Sequence, residues 1–208
     1  MSVDVPVLQF EEAYEDLIEG LLNQEFGVCT GLLDESTIIG LRNNLIQHWI
    51  NGEMRPAGVG QKFDFTKNVL VRGDLIKWIS NDSTNIFEVI LMDRIREFYH
   101  YLNSTCFTSI NDFEFHYAFY EQGSFYKKHL DQFKNDRGRQ FSLVFYINDN
   151  WLESDGGNLS IHRIGQDIVN IYPSAGQVVF FKSDEIEHEV HPSLTRYRLS
   201  IAGWLKQT

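Results

Sequence analysis

The sequence predicts a mainly β chain with packed N-terminal helices and a double-stranded β-helix (jelly roll) as its core. Three observations predict it. From Asp112 onward, apolar residues alternate with polar ones at period two, as in strands with one face buried. These short runs recur at near-even spacing between turn formers, as in barrels and jelly rolls. Before Asp112 the apolar spacing is mostly helical instead.

The helical part comes first. Phe10, Ala13, Leu17, Ile18, Leu21 and Leu22 form one stripe within residues 8–24, followed by a short strand at Phe26–Thr30. Asp34 is a good N-cap for a helix with Ile38, Ile39, Leu41, Leu45, Ile46 and Trp49 inward, stopping by Asn51-Gly52. Residues 53–74 contain a polar stretch rich in Gly and Lys that reads as a candidate substrate loop, leading into a two-stranded hairpin over Lys67–Trp78. Residues 84–103 give the longest helix, with Ile86, Ile90, Leu91, Ile95, Phe98, Tyr99 and Leu102 as its core stripe.

The expected core strands are Phe113–Tyr120, Phe141–Ile147, Ile168–Tyr172, Gln177–Phe181 and Tyr197–Trp204. Asp155-Gly156-Gly157-Asn158 is a tight turn entering a further strand. No repeat or linker divides the chain, so 1–208 reads as a single domain. Residues 1–110 pack on the core, and 111–206 form it.

Composition narrows the function classes. The chain has 208 residues, 43% of them hydrophobic and 14% aromatic, enough for one sizeable core. Its net charge of −11 disfavours nucleic acid, whose phosphates need a basic surface. Cys29 and Cys106 make neither a zinc spacing nor a disulfide framework, so a cytoplasmic setting is expected. No basic, apolar leader and no run long enough to span a bilayer is visible.

Chemistry concentrates at His129-Leu-Asp131. In an extended chain, residues two apart point to the same side. His188, or its rival His191, supplies a third group. Two histidines and one carboxylate with positions left open form the facial triad of non-haem Fe(II) oxygenases. A structural zinc would prefer four protein ligands, often thiolates. Arg198, or its rival Arg196, can grip the far carboxylate of a 2-oxo acid. Ser200 shares a strand face with Arg198, and Tyr146 and Tyr120 offer phenolic hydroxyls.

These motifs resemble the 2-oxoglutarate- and Fe(II)-dependent prolyl hydroxylases, in particular the oxygen-sensing hydroxylases of hypoxia-inducible factor and their bacterial relatives. The resemblance rests on Tyr120-Glu-Gln-Gly-Ser-Phe-Tyr126-Lys-Lys-His129, His129-Leu-Asp131, Arg139 to Asn148, Trp151, Gly156-Gly157, Phe180-Phe181-Lys-Ser-Asp184, His188-Glu-Val, Thr195-Arg196-Tyr197 and Val71-Arg72-Gly73-Asp74. It covers roughly residues 26–206.

The resemblance implies iron held by His129, Asp131 and His188. It implies 2-oxoglutarate held by Arg198 and Tyr146, with Tyr120 lining the pocket. Arg139 and Asp74 match a pair that positions the substrate loop, near Arg72. The gap from His188 to Thr195-Arg196-Tyr197 is one residue shorter than in the oxygen sensors, which keeps Arg196 in play. The implied reaction consumes O2 and 2-oxoglutarate, releases succinate and CO2, and hydroxylates a peptidyl proline. L-ascorbate is an accessory expectation, and a translation factor is the first substrate candidate. The alternatives are a hydroxylase of a free amino acid or other small molecule and a non-catalytic jelly-roll binding module.

Overall fold

A computed structural model of the chain describes residues 10–58, 71–132 and 138–208. The helical segment comprises α1 (Glu11–Gln24), β1 (Phe26–Cys29), α2 (Glu35–Ile50), β2 (Arg55–Pro56), β3 (Leu75–Trp78) and α3 (Ile86–Thr105). Eight strands follow: β4 (Asp112–Tyr120), β5 (Tyr126–His129), β6 (Arg139–Tyr146), β7 (Leu159–His162), β8 (Val169–Ile171), β9 (Val178–Lys182), β10 (Glu187–Val190) and β11 (Arg198–Lys206).

The strands form two antiparallel sheets. The larger runs β1-β9-β6-β11-β4-β3-β2 and the smaller β5-β10-β7-β8. Alternation along each strand sorts the side chains into two layers. On β4, Phe113, Phe115, Tyr117 and Phe119 join a core formed with the three helices. Ala118 and Tyr120 of the same strand point the other way, into a second cluster with Tyr146, Val179 and Phe181 of the large sheet and Leu159, Ile161 and Ile171 of the small one. The two sheets therefore pack face to face as a jelly roll, with the helices behind the larger one. Each fully buried Phe or Leu in these layers contributes about 1.5–3 kcal/mol.

Local signals set the element ends. The Asp34 side chain accepts from Thr37 N–H at 2.7 Å, capping α2. Asn85 accepts from the N–H groups of Phe87 and Glu88 and caps α3 in the same way. Gly27 lets α1 lie directly on β1, since a Cβ there would sit 2.1 Å from the Leu17 carbonyl oxygen.

Two expectations change. Leu22, Ile39, Trp49 and Ile86 are exposed rather than inward. Their stripes were drawn wider than the face each helix buries, although Trp49 still stacks on Phe119 with ring centroids 4.8 Å apart. The hairpin over 67–78 is not the pairing adopted by β3. That strand pairs with β2 and β4, because the long Phe113–Tyr120 edge offers more partners than a local return. Residues 59–70, within the expected substrate loop, lie outside the described residues. Among the described residues, no helix is long and apolar enough to cross a membrane.

Candidate metal centre

The small sheet builds the site. β10 pairs with β5 so that His188 stands opposite His129, and their rings lie 4.2 Å apart. Asp131 falls two residues beyond the end of β5, in a bend rather than on the strand. The N–H groups of Asp131 and Gln132 both donate to the Ser183 carbonyl, at 3.1 and 2.9 Å. This fork turns the Asp131 carboxylate inward, where strand alternation alone was expected to do so. Asp131 Oδ1 lies 3.4 Å from His129 Nε2, and Oδ2 lies 3.5 Å from His188 Nε2. One ligand atom from each residue lies within 4.8 Å of the others.

The surrounding contacts favour metal binding. His129 Nδ1 contacts the Lys127 carbonyl at 2.7 Å and His188 Nδ1 the Ile186 carbonyl at 3.1 Å. A carbonyl can only accept, so each Nδ1 carries the proton and each Nε2 presents a lone pair. Ser142 Oγ donates to Asp131 Oδ2 at 2.7 Å and meets Ser183 Oγ at 2.9 Å. Burial opposes ionisation of Asp131, but His188, His129 and the Ser142 hydroxyl outweigh it and hold the carboxyl far below its usual range. Burial pushes His188 down to about 4, against the opposing pull of Asp131. The donor set is thus an anionic oxygen with two imidazole nitrogens, the borderline and hard mixture that suits Fe(II).

A second polar cluster surrounds Arg198. Arg198 is 2% exposed, one of the largest buried side chains. Its Nε donates to the Gly157 carbonyl at 2.9 Å and its Nη1 to Ser200 Oγ at 3.1 Å. Gly156 and Gly157 adopt φ of 69° and 65°, which L side chains resist, and this turn aims the carbonyl at the guanidinium. The rings of Tyr120 and Tyr146 lie 4.9 and 5.2 Å from the Arg198 guanidinium carbon. Burial raises the pKa of both phenols, with Arg198 pulling each back. The Tyr146 hydroxyl is buried with no hydrogen-bond partner. Among the described residues Arg198 has no carboxylate partner. An unpaired buried cation beside an unused hydroxyl fits a ligand carboxylate.

The rivals are placed elsewhere. His191 is 41% exposed, 2.8 Å from Ser160 Oγ and 3.5 Å from Glu189, outside the His129–Asp131–His188 group. Arg196 is half-buried over the Trp151 ring.

The expected Arg139–Asp74 pair does not form. Asp74, its side chain fully buried, is held by Arg72 in a two-pronged contact at 2.6 and 2.7 Å. Arg139 instead donates to Glu114 at 2.8 Å and to the Asp131 carbonyl at 3.3 Å, and lies 3.4 Å over the Trp204 ring. The reason is local: Arg72 is two residues from Asp74 and already points at it. Arg72 also covers the Tyr126 ring at 4.1 Å, and Tyr126 stacks on His129 at 3.5 Å. The column Asp74–Arg72–Tyr126 thus braces one imidazole of the site.

Sequence reasoning missed Ser142, Ser183, Tyr126 and His116. His116 lies on the inward face of β4, 5% exposed. Burial, then Arg72, pushes its pKa down to about 4, while Asp74 pulls it up. The unfolded chain, with a histidine pKa near 6.5, takes up the proton first. Stability from neutral His116 is therefore full above about pH 6.5 and lost as pH falls toward 4, up to about 3 kcal/mol. On cooling the pH from about 7 to about 5, metal-free wild type should lose about 5 °C more in Tm than His116→Leu. Differential scanning calorimetry at both pH values checks this, and equal losses would contradict it.

Residues 115–206 match the model of the 2OG-Fe(II) oxygenase superfamily. Enzymes so named use Fe(II), 2-oxoglutarate and oxygen, for which the residues above provide the donors. Within that class the likeness is to prolyl hydroxylases. A Pseudomonas putida prolyl-4-hydroxylase superposes with a TM-score of 0.82 at 28% identity, covering 94% of this chain and 99% of that one. Human prolyl hydroxylase EGLN3 is 27% identical over 181 residues, 83% of this chain and 66% of that protein. The hypoxia-inducible factor prolyl hydroxylase of Caenorhabditis elegans is 38% identical over 85 residues, 39% of this chain. The chain spans 66% of the human protein's length and 12% of the nematode protein's.

Proposed function

We propose that the chain is an Fe(II)- and 2-oxoglutarate-dependent hydroxylase of a proline within a protein. The observation that carries this reading is the buried, carboxylate-free Arg198 facing the unpartnered Tyr146 hydroxyl, in the same inter-sheet space as a two-histidine, one-aspartate cluster. The prolyl hydroxylases among its relatives support the choice of proline.

Iron bound there supplies, with 2-oxoglutarate and O2, the oxidising chemistry that places one oxygen atom on a substrate carbon and releases succinate and CO2. The chain's own work is positional. His129, Asp131 and His188 would hold the metal, with Ser142 and two backbone carbonyls fixing their orientation. Arg198 and Ser200 would hold the far carboxylate, and Tyr146 would add its hydroxyl. Phe181 and Ile161, both fully buried, exclude water behind the metal ligands.

The test incubates purified chain with Fe(II), 2-oxoglutarate and L-ascorbate. Proline-centred peptides tiled from a translation elongation factor and a mixed-sequence peptide library serve as substrates, with free L-proline as control. The expected result is peptide-dependent succinate release matched by a one-oxygen mass gain on proline. Turnover with free proline alone would favour a small-molecule hydroxylase. No succinate under any condition would overturn the enzyme reading.

A further inference from the structure

We infer that His116 is a specificity-determining residue, hydrogen-bonding the backbone of the substrate peptide next to the target proline. The inference rests on the proposed function and adds to it the group that reads the peptide.

The first observation is an unpartnered atom. His116 is 5% exposed, and its Nδ1 is buried without a hydrogen-bond partner. Trp204 Nε1, on the neighbouring strand, is buried and unpartnered as well. Two such nitrogens side by side are uncommon, since buried polar groups nearly always find partners. The two rings lie 5.5 Å apart, and Trp78 packs against both, its centroid 5.0 Å from His116 and 6.3 Å from Trp204. A water molecule needs several polar partners, and two indole faces are a poor host for one.

The second observation is position. On β4 the inward face runs Tyr120, Ala118, His116, Glu114, and on β11 Arg198, Ser200, Ala202, Trp204 lie opposite them in turn. Arg198 stands at the Tyr120 end. His116 is four residues away, about 13 Å at about 3.3 Å per residue, too far to serve the Arg198 cluster. Its row adjoins that of Trp204 and Ser142, and Ser142 is bonded to Asp131. Trp78, paired with His116 across β3 and β4, is 50% exposed. His116 therefore sits one row from Ser142, which bonds the ligand Asp131, and beside the half-exposed Trp78, where a substrate peptide reaching the metal ligands would meet it.

The third is chemistry. A neutral imidazole offers one donor and one acceptor, which complements a peptide amide rather than an ion. The charges nearby are already committed: Arg72 to Asp74, and Arg139 to Glu114. A buried neutral reader of this kind discriminates strongly, because a substrate without the matching amide leaves it unpaired.

The test measures steady-state kinetics of wild type, His116→Leu, His116→Met and His116→Asn on a library peptide that wild type hydroxylates. Asparagine places an amide near the Nδ1 position; leucine and methionine fill the space without polarity. The expected result is a peptide KM raised about tenfold in the Leu and Met variants, with a smaller change in the KM for 2-oxoglutarate, and recovery of most of the peptide KM in His116→Asn. An unchanged peptide KM in both apolar variants would overturn the inference. So would an equal rise in both KM values, or His116→Asn behaving like leucine. Should wild type hydroxylate no peptide, the proposed function fails and this inference with it.

Discussion

Asp131→Asn is expected to cost the protein its iron. Asp131 contributes the only negative charge of the three-residue cluster, and its carboxylate lies between the two imidazoles. At an effective dielectric of about 20, one unit charge pair about 4 Å apart is worth about 4 kcal/mol, close to a thousandfold in affinity. Fe(II) binding measured anaerobically by calorimetry should weaken by about that factor, and succinate release should fall with it. Without metal, His188, His129 and Ser142 still favour the ionised Asp131 carboxylate over its burial cost, so the neutral amide should also lower Tm. It is the iron affinity that separates a ligand from a structural role. Asparagine keeps an oxygen that can accept from Ser142. A fall of several degrees in metal-free Tm, with iron affinity preserved, would mean that Asp131 is there to hold the two histidines together. His129→Ala should also weaken iron binding, and it further leaves Tyr126 without its stacked partner.

The parts of this molecule that were legible in sequence are those whose cause is local. Period-two alternation marked β4, β6, β9 and β11, because a strand between helices and a second sheet must sort its side chains by parity. His129 and Asp131 were legible because two residues of one short segment reach one point, although the bend pinned by Ser183 does the aiming. His188 was preferred over His191 already in the sequence, through the resemblance, and the β5–β10 register places it opposite His129. The Arg139–Asp74 pair was misread because partner choice among buried charges depends on distances that sequence does not carry. Asp74 had a nearer guanidinium in Arg72, and Arg139 had Glu114 across the sheet. Ser142 and His116 carried no signal at all: a single serine or histidine in a strand looks the same whether it supports a ligand, faces a substrate or meets solvent. Ile39 and Ile86 show the opposite limit, where helical spacing was read correctly and the width of the buried face was not.

Arg198→Met is expected to abolish 2-oxoglutarate binding while stabilising the ligand-free protein, and Arg196→Met is expected to do neither. A guanidinium that is 2% exposed and faces two tyrosine rings, a serine and one carbonyl has given up its hydration without gaining a counter-charge. That is costly in the free protein. Methionine follows a similar path through the layer and removes the charge, so the ligand-free Tm should rise. The same cation is what a dicarboxylate would meet. Removing one member of a buried charge pair costs about 2–5 kcal/mol, so 2-oxoglutarate affinity should fall at least about thirtyfold. Wild type should gain in Tm as the logarithm of ligand over Kd, and Arg198→Met should show almost no gain at 2-oxoglutarate concentrations a few times the wild-type Kd. Arg196, half-buried against Trp151 and 3.5 Å from the Asn150 carbonyl, should keep the wild-type shift when replaced. The reverse pattern, a shift retained by Arg198→Met and lost by Arg196→Met, would move the carboxylate site to the surface end of β11. Ser200 and Tyr146 extend the argument without further assumptions. Tyr146→Phe removes a buried hydroxyl that has no partner in the free protein, so it should leave the ligand-free Tm unchanged and reduce only the shift produced by 2-oxoglutarate. Ser200→Ala instead breaks a hydrogen bond that orients Arg198, so it should weaken 2-oxoglutarate binding less than Arg198→Met does.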